Sequence, residues 1–457
     1  MKPEPNARHA TLTMKVNRSF FLTTVAVLLG LLLAGCKSMN TTQYYQQTIP
    51  WEPNYDEQKM PPVVLPDALK CLDGKKVRTA DEWLRFRRSE LLRLFEETMY
   101  GTLPPMPDHV EYTLLSEKND EFDGLAIRRE ILVEFRMDDG RHHDMVVLLY
   151  IPTRAPRPVP IFTGLAFRGN HALTDDPSVR VTGQRYPKTP EKQAEWEQFR
   201  GQWKDSYPIR SIIERGYACA FASYHDIFPD RLDGWTESIY RLWHDDAELA
   251  ARLPGCSSIG AWAWGISRVI DCAVTQPEVD GTRIACIGHS RLGKATLWAA
   301  VCDERIGLAC VNDSGCGGAA LSRRLIGETL FSMFNKNHFG EFWFTDTLAE
   351  RSLHPEELPV DQHELVALMA PRAVSIHSAT EDNWADPKGE YLSAYYAGPV
   401  YRLFGIEGLT SREPPPPDTP VGETVSYLFR TGRHDLQIAD WEHYLSVADA
   451  VFNTPTE

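Results

Sequence analysis

Basic residues are scarce relative to acidic ones: 48 Lys+Arg stand against 63 Asp+Glu in 457 residues, a formal charge of −15. A field of that sign repels polyanions, so no nucleic-acid partner is expected. None of the nine cysteines forms a Cys-x-x-Cys pair, so the sequence offers no metal site, and no cofactor is expected. There is no internal repeat, and the apolar run Phe20 to Leu33 is too short to span a bilayer comfortably as a mature helix. Disorder is excluded by the 43% hydrophobic content, which can bury a large core.

The run from Phe20 follows Lys15 and Arg18 and ends at Leu33-Ala34-Gly35-Cys36. A basic flank, a short apolar stretch and small residues read as a secretion signal over residues 1–35. Leu-Ala-Gly-Cys resembles the bacterial lipobox, which implies lipidation of Cys36 and a membrane partner through an N-terminal lipid anchor. The expected location is the bacterial cell envelope, periplasmic or outer-membrane associated. Loss of residues 1–35 removes four basic side chains (Lys2, Arg8, Lys15, Arg18) and one acidic (Glu4), taking the charge to −18. Residues 36–65 are polar and proline-punctuated and read as a tether, leaving 66–457 as one catalytic domain. Export permits disulfides, but Cys219 and Cys286 lie in apolar strand-like runs and read as small core residues.

Arg283-Ile284-Ala285-Cys286-Ile287 reads as a strand and Ala295 to Ala300 as a helix, with Gly288-His289-Ser290-Arg291-Leu292-Gly293-Lys294 between them. A strand, a tight glycine-flanked turn and a helix place a serine hydroxyl on an exposed elbow above a parallel sheet. Gly293 sits three residues after Ser290 instead of the common two. Further strands are expected at Val110 to Leu115, Ala126 to Phe135, Met145 to Ile151, Val159 to Leu165, Tyr217 to Phe221, Leu308 to Asn312, Arg372 to Ser378 and Val425 to Phe429. Helices are expected over Asp81 to Tyr100, Ser258 to Thr275, Lys294 to Cys302 and Ile438 to Val451. The alternation predicts an α/β class chain with the α/β-hydrolase fold, a mostly parallel central sheet sandwiched by helices.

A serine hydroxyl needs a base to attack an ester at neutral pH. In this fold the order is serine, acid, histidine. His434, in Thr431-Gly432-Arg433-His434-Asp435 after the last strand, fits; His289 lies inside the elbow, His377 in a strand and His443 on the terminal helix. The acid is expected after the strand ending at Ser378, where Asp382 is preferred and Glu381 is less favoured. Asp313, directly after Val311-Asn312, is the alternative acid.

The elbow resembles the glucuronoyl esterase signature G-C-S-R-x-G-K, with His289 in place of the cysteine. Asn312 to Ala320, Glu381 to Pro387 and Gly432 to Asp435 match the same family, and the likeness runs from about residue 110 to 450. The resemblance implies a bacterial serine esterase that needs no metal. It would cleave the ester between 4-O-methyl-D-glucuronic acid of glucuronoxylan and lignin alcohols. It further implies Ser290 as nucleophile, His434 as base, Arg291 as oxyanion donor, and Lys294, Glu328 and Trp384 as holders of the uronate sugar. The fungal pattern has glutamate at Asp313, whereas bacterial members can place the acid after the penultimate strand, which favours Asp382. A carbohydrate acetyl esterase or other carboxylesterase on the same scaffold is the competing enzymatic reading. A lipid-anchored glycan-binding protein with a degenerate site is the non-enzymatic one.

Overall fold

The computed structural model describes residues 52–60, 62–183 and 189–453. The expected signal peptide, Cys36 and the first part of the expected tether lie outside the described residues. Nine strands form one sheet: β1 (His109–Asp120), β2 (Ala126–Arg136), β3 (His142–Pro152), β4 (Val159–Ala166), β5 (Ala218–Ser223), β6 (Val279–His289), β7 (Ile306–Asn312), β8 (Ala373–Ala379) and β9 (Val425–Arg430). Their order is β1-β2-β3-β5-β4-β6-β7-β8-β9. The β1, β2, β3 and β5 pairings are antiparallel, and every pairing from β5 through β9 is parallel. The mostly parallel sheet of an α/β-hydrolase fold is therefore present.

Burial explains the composition of the strands. β4 and β5 are buried at every position, as expected when helices cover both faces of parallel strands. On β6, Ala285 and Ile287 join a core that includes Phe162, Phe221, Trp441 and Tyr444. Cys286 points the other way, its Sγ 3.9 Å from Thr296 Oγ1. Successive side chains on a strand leave from opposite faces, so α4 (Ile438–Asn453) covers one face, and α2 (Arg291–Cys302), beside α1 (Ser258–Val274), covers the other. β1 is largely exposed and carries Glu111, Glu117 and Lys118, charges that protect an edge from further pairing. A fourth long helix, α3 (Pro387–Arg402), follows β8.

The part of the expected tether that is described does not hang free. Asn54 Nδ2 donates to Leu325 O at 3.3 Å, and the Asn54 carbonyl accepts from Gly327 N–H at 2.9 Å. Glu57 pairs with Arg324, a buried arginine whose Nε also donates to Asp386 Oδ2 at 2.8 Å. A buried guanidinium has more donors than one carboxylate satisfies. Glu57 supplies the remaining acceptor and draws the polar, proline-rich segment onto the body.

Among the described residues the eight cysteines from Cys71 onward form no disulfide with one another. Cys219 and Cys286 are fully buried in β5 and β6, and burial alone raises the Cys219 thiol far above its ordinary value.

Candidate active site

Chain order reverses where β4 and β6 lie side by side: β5 stands outside β4, and β7 to β9 extend beyond β6. Crevices beyond the carboxyl ends of strands at such a switch point are where α/β sheets bind ligands. Phe167 follows β4 there and Ser290 follows β6. Both line a cavity of about 370 Å3 together with Trp203, Tyr224, Arg291 and His434.

Ser290 has φ 57° and ψ −128°, a conformation that costs a non-glycine residue about 1–3 kcal/mol. The cost is held in place by hydrogen bonds on both sides: Ser290 N–H donates to Asn312 O at 2.9 Å, while Gly293 and Lys294 N–H donate to the Ser290 carbonyl at 2.8 and 3.2 Å. A Cβ on Gly288 would stand 2.2 Å from Leu292 O and 2.5 Å from Thr296 Oγ1, so only glycine lets α2 leave the strand so sharply. Gly293 is nearly as confined, with Asn312 O, Gly288 O and Ser314 Cβ all 3.1 Å from an added Cβ. The unusual glycine offset is thus set by packing of α2 on the end of β7.

His434 Nδ1 lies 2.6 Å from Asp382 Oδ2. Asp382 caps the short turn Asn383–Ala385, its Oδ1 accepting from Ala385 N–H at 3.3 Å, so both oxygens have a task and the carboxylate is oriented. Asp313 stands close by: it, Asp382 and His434 each bring one nitrogen or carboxylate oxygen within 4.8 Å of the others. Its Oδ2, however, accepts from Arg430 Nη2 at 3.4 Å and Asp435 N–H at 3.3 Å. Burial, with Glu390 and Asp382 nearby, pushes the Asp313 carboxyl well above the usual range, and Arg430 opposes that shift. Glu381 is exposed and faces Arg433, 3.4 Å away; it makes no contact with His434, because the chain turns into the 383–385 helical turn and carries Asp382 inward.

His289 occupies the elbow position beside Ser290. Its Nδ1 meets Asn312 Oδ1 at 2.6 Å, and its ring lies 4.5 Å from that of His434. Burial and the neighbouring His434 depress its pKa to about 3, so His289 is a neutral ring that buttresses the exposed one.

The Arg291 guanidinium lies 4.8 Å over Trp343 and pairs with Asp230. Asp230 in turn accepts from Trp343 Nε1 at 2.9 Å and Tyr224 OH at 3.0 Å. Burial opposes the charge on Arg291 and Asp230 outweighs it, raising the pKa. Arg291 Nε is buried with no hydrogen-bond partner among the described residues. Lys294, buried one turn further along α2, donates from Nζ to Ser314 O at 2.6 Å and to Glu328 Oε2 at 3.4 Å. Glu328 N–H donates to the Trp384 carbonyl at 2.7 Å. Lys294, Glu328 and Trp384 are therefore brought together, and Lys294 Nζ also lies 5.7 Å from the centre of the Trp343 ring.

The sequence reading passed over Asp230 and Trp343, which fix Arg291, and Phe167 and Trp203, whose rings stack 5.0 Å apart in the cavity wall. Asp230 follows Phe228-Pro229 in an irregular stretch without periodicity, so no local signal marked it.

The arrangement can activate a hydroxyl, hold an imidazole in one orientation and offer a cation beside the reacting atom. A family model described as fungal glucuronyl esterase matches residues 233–405. The chain is 38% identical over 406 residues to the carbohydrate esterase MZ0003 of an unknown prokaryotic organism, covering 87% of this chain and 91% of that one. Its structure is similar to a glucuronoyl esterase from Solibacter usitatus, with TM-score 0.79, 36% identity, and 87% of this chain and 100% of that chain covered. It is also similar to a promiscuous CE15 esterase from the marine bacterial metagenome, with TM-score 0.78, 37% identity, and 88% and 100% covered. The chain belongs to the glucuronoyl esterase family of carboxylic ester hydrolases.

Proposed function

We propose that the protein hydrolyses the ester between 4-O-methyl-D-glucuronic acid on glucuronoxylan and lignin alcohols, through Ser290, His434 and Asp382. The observation that carries the reading is the 2.6 Å contact of Asp382 with His434 in the cavity that also holds the Ser290 elbow and Arg291. Asp382 accepts a hydrogen bond from Nδ1–H and stays ionised, which leaves Nε2 free to take the proton of Ser290 as its Oγ attacks the ester carbonyl. The carbonyl oxygen becomes an oxyanion. The Arg291 backbone N–H, directly after the nucleophile, and the guanidinium that Asp230 and Trp343 hold in place are the donors suited to it. His434 then gives its proton to the departing alcohol, and a water deprotonated by His434 releases the uronate from Ser290.

Lys294, Glu328 and Trp384 are the residues for the acyl side. A lysine–glutamate pair can bond sugar hydroxyls, and an indole can cover a ring face. A carbohydrate acetyl esterase or other carboxylesterase on the same scaffold is the reading to test against. Relative kcat/KM on benzyl glucuronate and p-nitrophenyl acetate separates them. A strong preference for the uronate ester supports the proposal; equal or inverted preference assigns the protein to general esterases.

We further propose that Cys36 is lipid-modified after removal of residues 1–35 and tethers the enzyme to the bacterial cell envelope, supported by Leu33-Ala34-Gly35-Cys36 behind a basic, apolar leader. Cys36→Ser should abolish lipid labelling and release the protein from membranes; unchanged partitioning contradicts the anchor.

A further inference from the structure

Arg430, the last residue of β9, has a buried guanidinium, 2% exposed, that no step above uses. Its Nη2 donates to the carbonyls of Arg433 at 2.9 Å and Asp435 at 2.8 Å, and its Nη1 to that of Thr431 at 3.2 Å. One side chain therefore grips three carbonyls of the loop that carries His434, including those on either side of the histidine. Gly432 completes the fit: its φ is +128°, and a Cβ there would stand 2.8 Å from Nη1.

The cation is anchored from below. Arg430 Nε lies 2.8 Å from Asp440 Oδ2 and Nη2 lies 3.4 Å from Asp313 Oδ2. Asp440 is itself fixed, its Oδ1 2.9 Å from His377 Nδ1 and its Oδ2 accepting from Gln437 N–H at 2.9 Å. Above this network the loop is open to solvent, with the Arg433 side chain 88% exposed and that of His434 43%. Polar contacts hold such a loop: Thr431 N–H donates to Asp418 Oδ1 at 2.8 Å and Gly432 N–H to Thr380 Oγ1 at 3.1 Å, and Arg430 bonds the carbonyls that flank His434 itself.

We infer that Arg430 is a positioning residue for the hydrolysis, clamping residues 431–435 so that His434 stays on Asp382 beside Ser290. The inference rests on the reading of His434 as the base. Lysine cannot replace the clamp, because an ammonium is a point charge without the planar fork that reaches several carbonyls at once. A displaced base costs turnover and leaves sugar recognition at Lys294, Glu328 and Trp384 intact, so the loss falls on kcat.

The test uses the full chain with Arg430→Ala, Arg430→Lys and Ser290→Ala, assayed on benzyl glucuronate with and without guanidinium ion at sub-denaturing concentration. The expected result is a kcat about a hundredfold lower in Arg430→Ala with KM little changed, a marked loss in Arg430→Lys, and partial recovery of Arg430→Ala by guanidinium but not by methylammonium. Unchanged kcat, a loss confined to KM, or a loss that guanidinium does not relieve overturns the inference. Should Arg430→Ala not fold, Asp440→Asn carries the test: lower kcat at unchanged KM supports the clamp, and wild-type kcat overturns it. Activity persisting in Ser290→Ala would instead refute the catalytic reading, whatever the Arg430 variants do.

Discussion

Asp382 Oδ2 meets His434 Nδ1 at 2.6 Å while Asp313, close enough to compete, is bonded to Arg430 and the backbone of Asp435. Asp382 is thus the acid in contact with the imidazole, while the buried Asp313 Oδ1 has no hydrogen-bond partner among the described residues. Asp382→Ala removes the group that orients the imidazole and should cost up to about ten-thousandfold in kcat. Asp313→Ala should cost far less, and the double variant should be worse than either by less than the product of the two effects if the acids partly share one task. Steady-state kinetics on folded variants, checked by circular dichroism, decide this; a larger loss from Asp313→Ala would reverse the assignment.

Arg291 depends on Asp230. Arg291→Ala should lower kcat by roughly 10²–10³-fold, the range for loss of one oxyanion donor. Asp230→Asn keeps the shape but weakens the ion pair, so it should lower kcat in the same direction by less. Equal binding of a phosphonate transition-state analogue by wild type and Asp230→Asn would contradict the link.

Glu390 ties the loops after β7 and β8 together: its carboxylate accepts from Ser314 Oγ at 2.7 Å, Gly315 N–H at 2.9 Å and Ser378 Oγ at 2.6 Å. Burial nevertheless pushes its pKa up to about 7 from an ordinary 4.5. A carboxyl raised in the folded state contributes stability that is fully present below the unfolded value and is lost as pH rises through the folded one. The contribution, on the order of 3 kcal/mol, should therefore disappear between about pH 4.5 and 7. Wild type should lose more thermal stability than Glu390→Gln between about pH 5 and pH 8. Parallel melting profiles would show that Glu390 does not carry this term.

The central strands were legible because their buried stretches are β-branched or small between clear turns, as at Ile284 to Ile287. The elbow was legible because strand, glycine and helix signals converge on Ser290, and His434 because a glycine loop follows the last strand. Helix α3 was missed: Gly389, Gly398 and Pro399 interrupt its 16 residues, yet tertiary packing of Tyr391, Ala394 and Tyr401 holds it. The adherence of Asn54 and Glu57 escaped notice because it depends on Arg324, Leu325 and Gly327, about 270 residues away. Asp230 and Trp343 were invisible for the same reason, since each acts across the fold on Arg291, whereas Arg430 acts on its own neighbours and only the fold shows its side chain turning back onto their carbonyls.

The account turns on Ser290 as the nucleophile for a uronate ester, and the initial rate of benzyl glucuronate hydrolysis by wild type and Ser290→Ala, without added metal, tests it most directly. Wild type should hydrolyse the ester rapidly, and the variant should fold identically but retain only residual turnover. Comparable rates for the two proteins would contradict it.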